Sequence, residues 1–422
     1  VLDLLLFNPK TTPDFFWDAR GGALPSGATF TRGSSGWYFN SAGVLTQAGL
    51  NVARFDYDPS TFTPLGYLAE PQSTNAITAS QRFTDASWSA VQNLAVTDNA
   101  QTSPDGTINA ATLKEDGTTN VHAIQWATLN VSNANVYGLS IFAKNISGSR
   151  WLQLNLGGGQ SVNFNPSTGA IGNTNGNGVS NAVSQQLANG WWRFSVFFTA
   201  TATVGSSYRL YLVTAGNSGN APSYAGDGTS TIAVFGAQAD TAGAGVTSYI
   251  PTAGSAVTRS ADLLSLPLVS LPGWNANAGG VVRAIYRLYT NTLSTEQDPV
   301  YFWDGGANTI DCRAQSGTQS GSTASGLLMR STSIQINTAA NISPMPTAFL
   351  RRKQAFGWGV SRGQIAIDGV MSSTQSGSFA LPVGLTTLYI GGKAGNSLNG
   401  TLERIAYYAG ARSDAFVQGV TQ

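Results

Sequence analysis

A two-residue alternation of side chains, interrupted at short intervals by glycine-rich turns, limits what this chain can fold into. In residues 136–144, Tyr137, Leu139, Ile141 and Ala143 fall on one face, and Gly138, Ser140, Phe142 and Lys144 on the other. Leu152, Leu154 and Leu156 alternate with Trp151, Gln153 and Asn155. Trp192, Phe194, Val196 and Phe198 alternate with Trp191, Arg193, Ser195 and Phe197; Leu210 and Leu212 alternate with Arg209, Tyr211 and Val213. Side chains at i and i+2 share a face only in extended chain, so each segment reads as a strand with one face for a core and a second, mixed face. Of the neighbouring tryptophans, Trp192 is assigned to the core. Residues 157–159, 173–178 and 216–219 read as loops.

Helical periodicity is nearly missing. The best candidate is 413–420, with Ser413 as cap and Asp414 in the first turn. Charged residues are 10% of the chain, against roughly 25% in an average soluble domain, too few for exposed helices. An all-β fold of sandwiches or jelly rolls follows. A length of 422 residues suggests two or three domains. Residues 1–75 are rich in aromatics and prolines, 76–262 form a first strand-rich block, and 263–422 a second. Residues 248–262 read as a Pro/Gly/Ser-rich connector.

The formal charge is +1, and the only three-residue basic run is Arg351, Arg352 and Lys353. Neither nucleic acid nor an anionic membrane is an expected partner. No apolar run approaches the roughly 18 residues of a membrane-spanning helix. Residues 1–7 are apolar but contain Asp3 and lack a basic flank, so a signal peptide is not expected. A single cysteine, Cys312, allows no internal disulfide and reads as a small buried hydrophobe.

Catalytic patterns are weak. The close carboxylate pairs are Asp14 with Asp18, Asp56 with Asp58, and Glu115 with Asp116. Asp105, Asp227 and Asp368 each precede glycine, where turn formation accounts for them. A triad would need His122, the only histidine, and no G-x-S-x-G elbow is present. No catalytic residue is assigned and no cofactor is expected. A structural calcium is considered at Asp227, or at Asp116 with Asn120.

The second half of the first block carries Asn189-Gly190-Trp191-Trp192-Arg193-Phe194, Tyr224-Ala225-Gly226-Asp227-Gly228, Phe235-Gly236-Ala237-Gln238 and Ser248-Tyr249-Ile250-Pro251-Thr252. Upstream stand Arg54-Phe55-Asp56-Tyr57-Asp58-Pro59, Pro64-Leu65-Gly66-Tyr67-Leu68 and Ser103-Pro104-Asp105-Gly106-Thr107. In this order they resemble a module of bacteriophage head-spike and tail-fibre proteins with a carbohydrate-binding-module-like jelly roll. The family's Glu-Glu-Ala-Arg-Thr-Asn-Leu-type run is looser here, reading Ala69-Glu70-Pro71-Gln72-Ser73-Thr74-Asn75. In the last block Trp358-Gly359-Val360, Ile365-Ala366-Ile367-Asp368-Gly369, Leu388-Tyr389-Ile390-Gly391-Gly392 and Leu398–Tyr408 resemble a concanavalin-A-like, laminin-G-type sandwich. The resemblance implies a jelly-roll β-sandwich at 76–262 followed by a concanavalin-A-like β-sandwich at 263–422. Residues 1–75 would attach the protein, bridge the two, or complete the lectin-like sandwich.

The open face of a jelly roll is where a binding role is expected. Trp151, Gln153, Asn155, Arg193, Arg209 and Tyr211 lie on the non-core faces, with Phe142 and Lys144 among the same positions. Flat aromatics stack on the apolar faces of sugars, and Arg, Gln and Asn serve their hydroxyls. The same residue types are enriched where chains pack against each other. What the resemblance implies is a non-enzymatic virion-surface protein that contacts host surface polysaccharide and other virion proteins. Arginine outnumbers lysine 17 to 5, so edge strands lack their usual Lys guard and a homo-oligomer, a trimer by analogy with phage fibres, is expected. The competing expectations are a purely structural capsid or tail decoration and a polysaccharide depolymerase.

Overall fold

The alternation becomes two sandwiches, each with a core between two antiparallel sheets. The computed structural model describes residues 12–422 apart from 241–244, 290–295, 315–323, 342–349 and 394; the apolar start at 1–7 lies outside the described residues. Among the described residues no helix is long and apolar enough to cross a membrane.

One sheet of the jelly roll, the junction sheet, runs in the order Val179–Gln186, Trp192–Thr199, Val136–Ser147, Thr231–Asp240, Ile108–Glu115 and Leu94–Thr102. The other, the outer sheet, runs Ile171–Asn175, Gln160–Phe164, Trp151–Gly157, Val204–Val213, His122–Val131 and Ala90–Gln92. Register sets Leu139 opposite Val196 and Ile141 opposite Phe194 in the first, and Leu152 opposite Leu212 and Leu154 opposite Leu210 in the second. All eight are buried in one core, where Phe164 and Phe194 stack at 4.6 Å between ring centroids. Each such side chain contributes roughly 1.5–3 kcal/mol by leaving water.

The second sandwich is built from both ends of the chain. Its first sheet runs Val370–Ser376, Arg362–Ile367, Arg351–Trp358, Gly280–Leu288, Gly400–Ala409, Pro64–Ala69 and Phe55–Tyr57, with Phe15–Asp18 also paired to Gly400–Ala409. Its second runs Thr29–Thr31, Leu263–Pro267, Thr387–Ile390, Val300–Trp303, Thr309–Arg313, Ala324–Ser331 and Ser333–Asn341. The jelly roll is therefore an insertion between Pro64–Ala69 and Leu263–Pro267. The Asp368-Gly369 turn joins Arg362–Ile367 to Val370–Ser376 with φ of 48° and 83°, the mirror-image geometry that twisted hairpins favour. The one α-helix among the described residues, Asp414–Gly419, starts where Ser413 Oγ accepts from Phe416 N–H and buries Val417 against the first sheet. The basic run is neutralised: Arg351 pairs with Glu403 and Arg352 with Asp368, both at 2.6 Å.

The hairpin of Gly36–Phe39 and Leu45–Ala48 lies against the jelly roll. Phe39 and Leu45 pack with Phe142, Phe235, Tyr249 and Trp191 of the jelly-roll side. Trp192 does lean on the sandwich core, but Trp191 is the deeper of the two, 2% exposed, with Nε1–H donating to Thr102 O. A second hydrophobic layer behind the junction sheet accounts for the difference.

The stretch 248–262 is no free linker. Val257–Arg259 pairs with Ser73–Asn75, and Ser248, Tyr249, Ile250, Arg259 and Asp262 are buried. Here Arg54 pairs with Glu70 at 2.7 Å and also with Asp262, which takes Arg32 at 3.0 Å. Arg259 lies 3.5 Å from Glu70 and 3.6 Å from Asp262. Burial alone would raise the Glu70 carboxyl, but Arg259 and Arg54, with hydrogen bonds from Ser248, hold it at about 2.

Asp262→Asn leaves Arg32 and Arg54 buried without their full counter-charge. It is expected to lower the unfolding free energy by about 3–5 kcal/mol in urea titrations. Arg362→Ala, at the half-exposed Arg362–Asp414 pair, should cost less than about 1 kcal/mol. The folded Glu70 value lies below the unfolded one, about 4.3. Its contribution is therefore present above that pH and is lost as the pH falls toward 2, which melts across that range would record as a loss greater in wild type than in Glu70→Gln.

Candidate functional site

The residues assigned from sequence do not share one open face. Arg193 is separated from the others because it stands on the junction sheet. Its Nη2 donates to Thr247 O at 2.6 Å and to Ser140 Oγ at 3.2 Å, its guanidinium lies 5.4 Å from the Phe142 ring centroid, and burial pulls its pKa down. It packs against the neighbouring part of the same chain.

Trp151, Gln153, Asn155, Arg209 and Tyr211 do share the outer sheet's non-core face, but the loop 214–223 lies over much of it. Gln153 donates to Asn163 Oδ1 and Gly219 O and accepts from Ala221 N–H. Asn155 donates to Asn220 Oδ1 at 2.6 Å. Gly216 sits so close to the Trp151 ring that a Cβ there would come within 2.6 Å of it. Tyr211 is buried with Val213 and Ala123, while Trp151 is half-buried against them. These polar side chains hold the loop down and are already satisfied. Arg209 remains, half-buried beside a groove lined by Gly157, Gly158, Gln160 and Ser206, its Nε without a hydrogen-bond partner among the described residues.

The calcium expectation does not fit either. Asp116 Oδ1 accepts from Thr118, and Asp227 accepts from Thr229 and Ser230. The cation at this end is Arg150, bound to Glu115 at 2.7 Å and facing Asp227 at 3.4 Å. No group of three or more His, Cys, Asp or Glu side chains suited to a metal occurs among the described residues. His122 is buried, with its ring 4.6 Å from that of Tyr224.

An open cleft of about 450 Å³ lies on the second sandwich. Val300, Phe302, Ile310, Cys312, Leu327 and Met329 point into the core. Alternation then turns Tyr301, Trp303, Thr309, Asp311, Arg313 and Arg330 outward, and Glu296, Lys393 and Asn396 close the rim. Register places Trp303, Thr309 and Arg330 in one row and Tyr389, Tyr301 and Asp311 in the next. Trp303 is held by Nε1–H donating to Gly306 O at 2.9 Å. Arg313 Nη2 lies 3.0 Å from Glu296 Oε1 and 3.2 Å from Asp311 Oδ2, and its Nε has no hydrogen-bond partner among the described residues. Asp298 is buried nearby, with Oδ1 lacking a hydrogen-bond partner among the described residues and Oδ2 accepting from Asn396. Burial, then the neighbouring Asp311 and Glu296, push its pKa well up. Burial also raises Asp311, against the pull of Arg313.

Sequence reading passed over this cleft, although it placed Cys312 in the core. The available signal was the same alternation in Val300–Trp303 and Thr309–Arg313, whose apolar members turn two aromatics and an ionic pair away from the core, where all but Trp303 are still largely buried. Asp298 supplies a pH test. Its folded pKa lies above the unfolded value of about 3.9, so stability is full below that pH and declines as the pH rises toward the folded value. Asp298→Asn should melt higher than wild type at pH 8, and the difference should close near pH 4 in thermal scans.

No protein-family model matches the sequence, and no curated protein matches it. Solved structures share parts of the architecture at low identity. The CBM40 of the Ruminococcus gnavus IT-sialidase is 13% identical over 34% of this chain and 83% of its own, with a TM-score of 0.30. Domain 4 of AbnA, a GH43 extracellular arabinanase from Geobacillus stearothermophilus, in complex with arabinotriose, is 13% identical over 42% and 82%, with a TM-score of 0.31. Domains LG4-5 of the mouse laminin alpha1 chain are 11% identical over 70% and 88%, with a TM-score of 0.20. The chain is an all-β protein of sandwich domains, and likeness at this level assigns it no ligand.

Proposed function

We propose that this chain is a non-catalytic glycan-binding protein whose cleft on the second sandwich engages polysaccharide. One observation carries the reading: an open cleft in which the half-buried Trp303, with the buried Tyr301 next to it, stands beside Arg, Asp, Thr and Asn side chains. A sugar offers an apolar C–H face to the indole and hydroxyls to the polar groups. The strands on which these groups stand are anchored by the core beneath them.

The non-catalytic part is supported by Arg313. A glycosidase keeps two carboxyl groups roughly 5–9.5 Å apart with the scissile bond between them. Here Arg313 Nη2 contacts both Glu296 and Asp311, so a cation occupies the place where the bond would lie. The raised pKa of Asp311 is what favours the depolymerase reading. Incubation with polysaccharide should leave chain length unchanged in size-exclusion profiles; shortening that Asp311→Asn abolishes would establish the enzyme instead.

Display on a bacteriophage particle, as a head spike, fibre or tail-associated decoration facing host polysaccharide, is part of the same proposal. It is supported by the ordered motifs of the sequence. Weak binding by one cleft would be raised by many copies on one particle.

A glycan array with wild type, Trp303→Ala and Trp151→Ala tests the site. Selective signal should fall at least tenfold in Trp303→Ala, consistent with about 1.4 kcal/mol or more of lost stacking and burial, and persist in Trp151→Ala, whose ring supports the loop. Loss in Trp151→Ala alone would return the site to the jelly roll. A blank array from folded protein would favour a purely structural decoration.

A further inference from the structure

The cleft's charges are not equally occupied. Glu296 and Asp311 both face Arg313, and Glu296 also accepts from Asn396 Nδ2 at 2.7 Å. Arg330 and Lys393 have no carboxylate within 4.0 Å among the described residues. Arg330 is exposed further along the row, with Thr309 between it and Trp303 in the register and Ile334 beyond it. At about 4.8 Å per strand it stands about 10 Å from Trp303, the reach of a disaccharide or of one sugar with a projecting acid group.

Lys393 is the sharper constraint. Its Nζ lies 5.1 Å from the Tyr301 ring centroid and 5.2 Å from that of Trp303. The aromatic surface a sugar would use already has an ammonium group over it, an attraction that strengthens as water is excluded. A neutral sugar has to displace that cation, or desolvate it without replacing its charge. A sugar bearing an anionic group can pair with the ammonium where it stands and still bring its ring against the exposed part of Trp303.

We infer that the cleft selects an acidic saccharide, its anionic groups bound by Lys393 and Arg330 and its ring placed beside Trp303. The inference rests on the glycan-binding reading of this cleft. Carboxylate and sulfate share the necessary chemistry, so the probes separate them: polygalacturonate for carboxylate, carrageenan for sulfate, dextran as the neutral chain.

Calorimetric titrations would compare wild type, Arg330→Gln, Lys393→Gln, Trp303→Ala and Arg82→Gln, an exposed arginine remote from the cleft in sequence and sheet. At least one acidic polymer should bind at least tenfold more tightly than dextran. Arg330→Gln and Lys393→Gln should each remove much of that preference, Trp303→Ala should remove binding, and Arg82→Gln should change nothing. Dextran bound as tightly as the acidic chains, with loss confined to Trp303→Ala, would overturn the acidic preference and leave the glycan reading standing. Equal weakening by Arg82→Gln would mean diffuse polyanion attraction and would overturn it too. No binding of any polymer would remove the glycan reading and the inference with it. Circular dichroism of each variant establishes that a loss is not unfolding.

Discussion

Two carboxylates and three arginines, all almost wholly buried, fix how this chain is assembled. Arg32, Arg54 and Arg259 converge on Glu70 and Asp262, and the five partners arrive from four stretches of chain. Ions in such a place are tolerable only with their partners in position, since one left alone would forfeit hydration without replacement. The cluster therefore acts as a condition on the surrounding chain. The hairpin of Gly36–Phe39 and Leu45–Ala48, the end of Pro64–Ala69 and the start of Leu263–Pro267 must arrive together. Leu263–Pro267 begins one residue after Asp262 and pairs with Thr387–Ile390, which pairs with Val300–Trp303. The strand carrying Tyr301 and Trp303 is thus two ladders from the ionic cluster.

The motifs that suggested a phage module make up much of this junction. Arg54 opens one of them, Glu70 lies in the looser run, and Ser248 and Tyr249 belong to another. Ser248 donates to Glu70, Gln238 Oε1 accepts from Ile250 N–H, and Asn75 Nδ2 donates to Ala237 O and Ile250 O. These residues fasten an inserted jelly roll into its host sandwich. The resemblance is therefore carried by scaffold chemistry, and the aromatic cleft lies on strands that contribute nothing to it.

Where one face of a strand met a core, the sequence was legible. The leucines at 152, 154, 210 and 212 are inside, as alternation requires, and the Ser413 cap begins the terminal helix. What alternation could not report is what covers the other face. Gln153, Asn155 and Tyr211 have the composition of a binding surface, yet a loop about 60 residues further along the chain folds back over them. A side chain suited to a sugar hydroxyl is equally suited to a backbone carbonyl, and only the tertiary fold decides which it meets. Trp191 escaped for the same reason: a second apolar layer lies behind the junction sheet. The discontinuity of the second sandwich left no local trace, because strand pairing spans several hundred residues; only the resemblance offered it, as one of three roles for residues 1–75.

Low charge density makes the cleft's two cations informative. Many of the aspartates terminate or shape turns: Asp58, Asp85, Asp105, Asp116, Asp227 and Asp304 each accept from a backbone N–H two residues ahead. Such hydrogen bonds stabilise the ionised form and keep the carboxylates local to their loops. Other carboxylates lie in buried or partly buried clusters around arginine, at Glu115 with Arg150 and at Glu403 with Arg351. In a chain where acids are so consistently matched at short range, the cleft holds a lysine suspended over two aromatic rings and an exposed arginine, neither with a carboxylate within 4.0 Å among the described residues. The cleft carboxylates cannot answer them, because Arg313 already lies between Glu296 and Asp311. An incoming anion would meet two cations and a pre-formed aromatic wall, and would need to displace no existing ion pair.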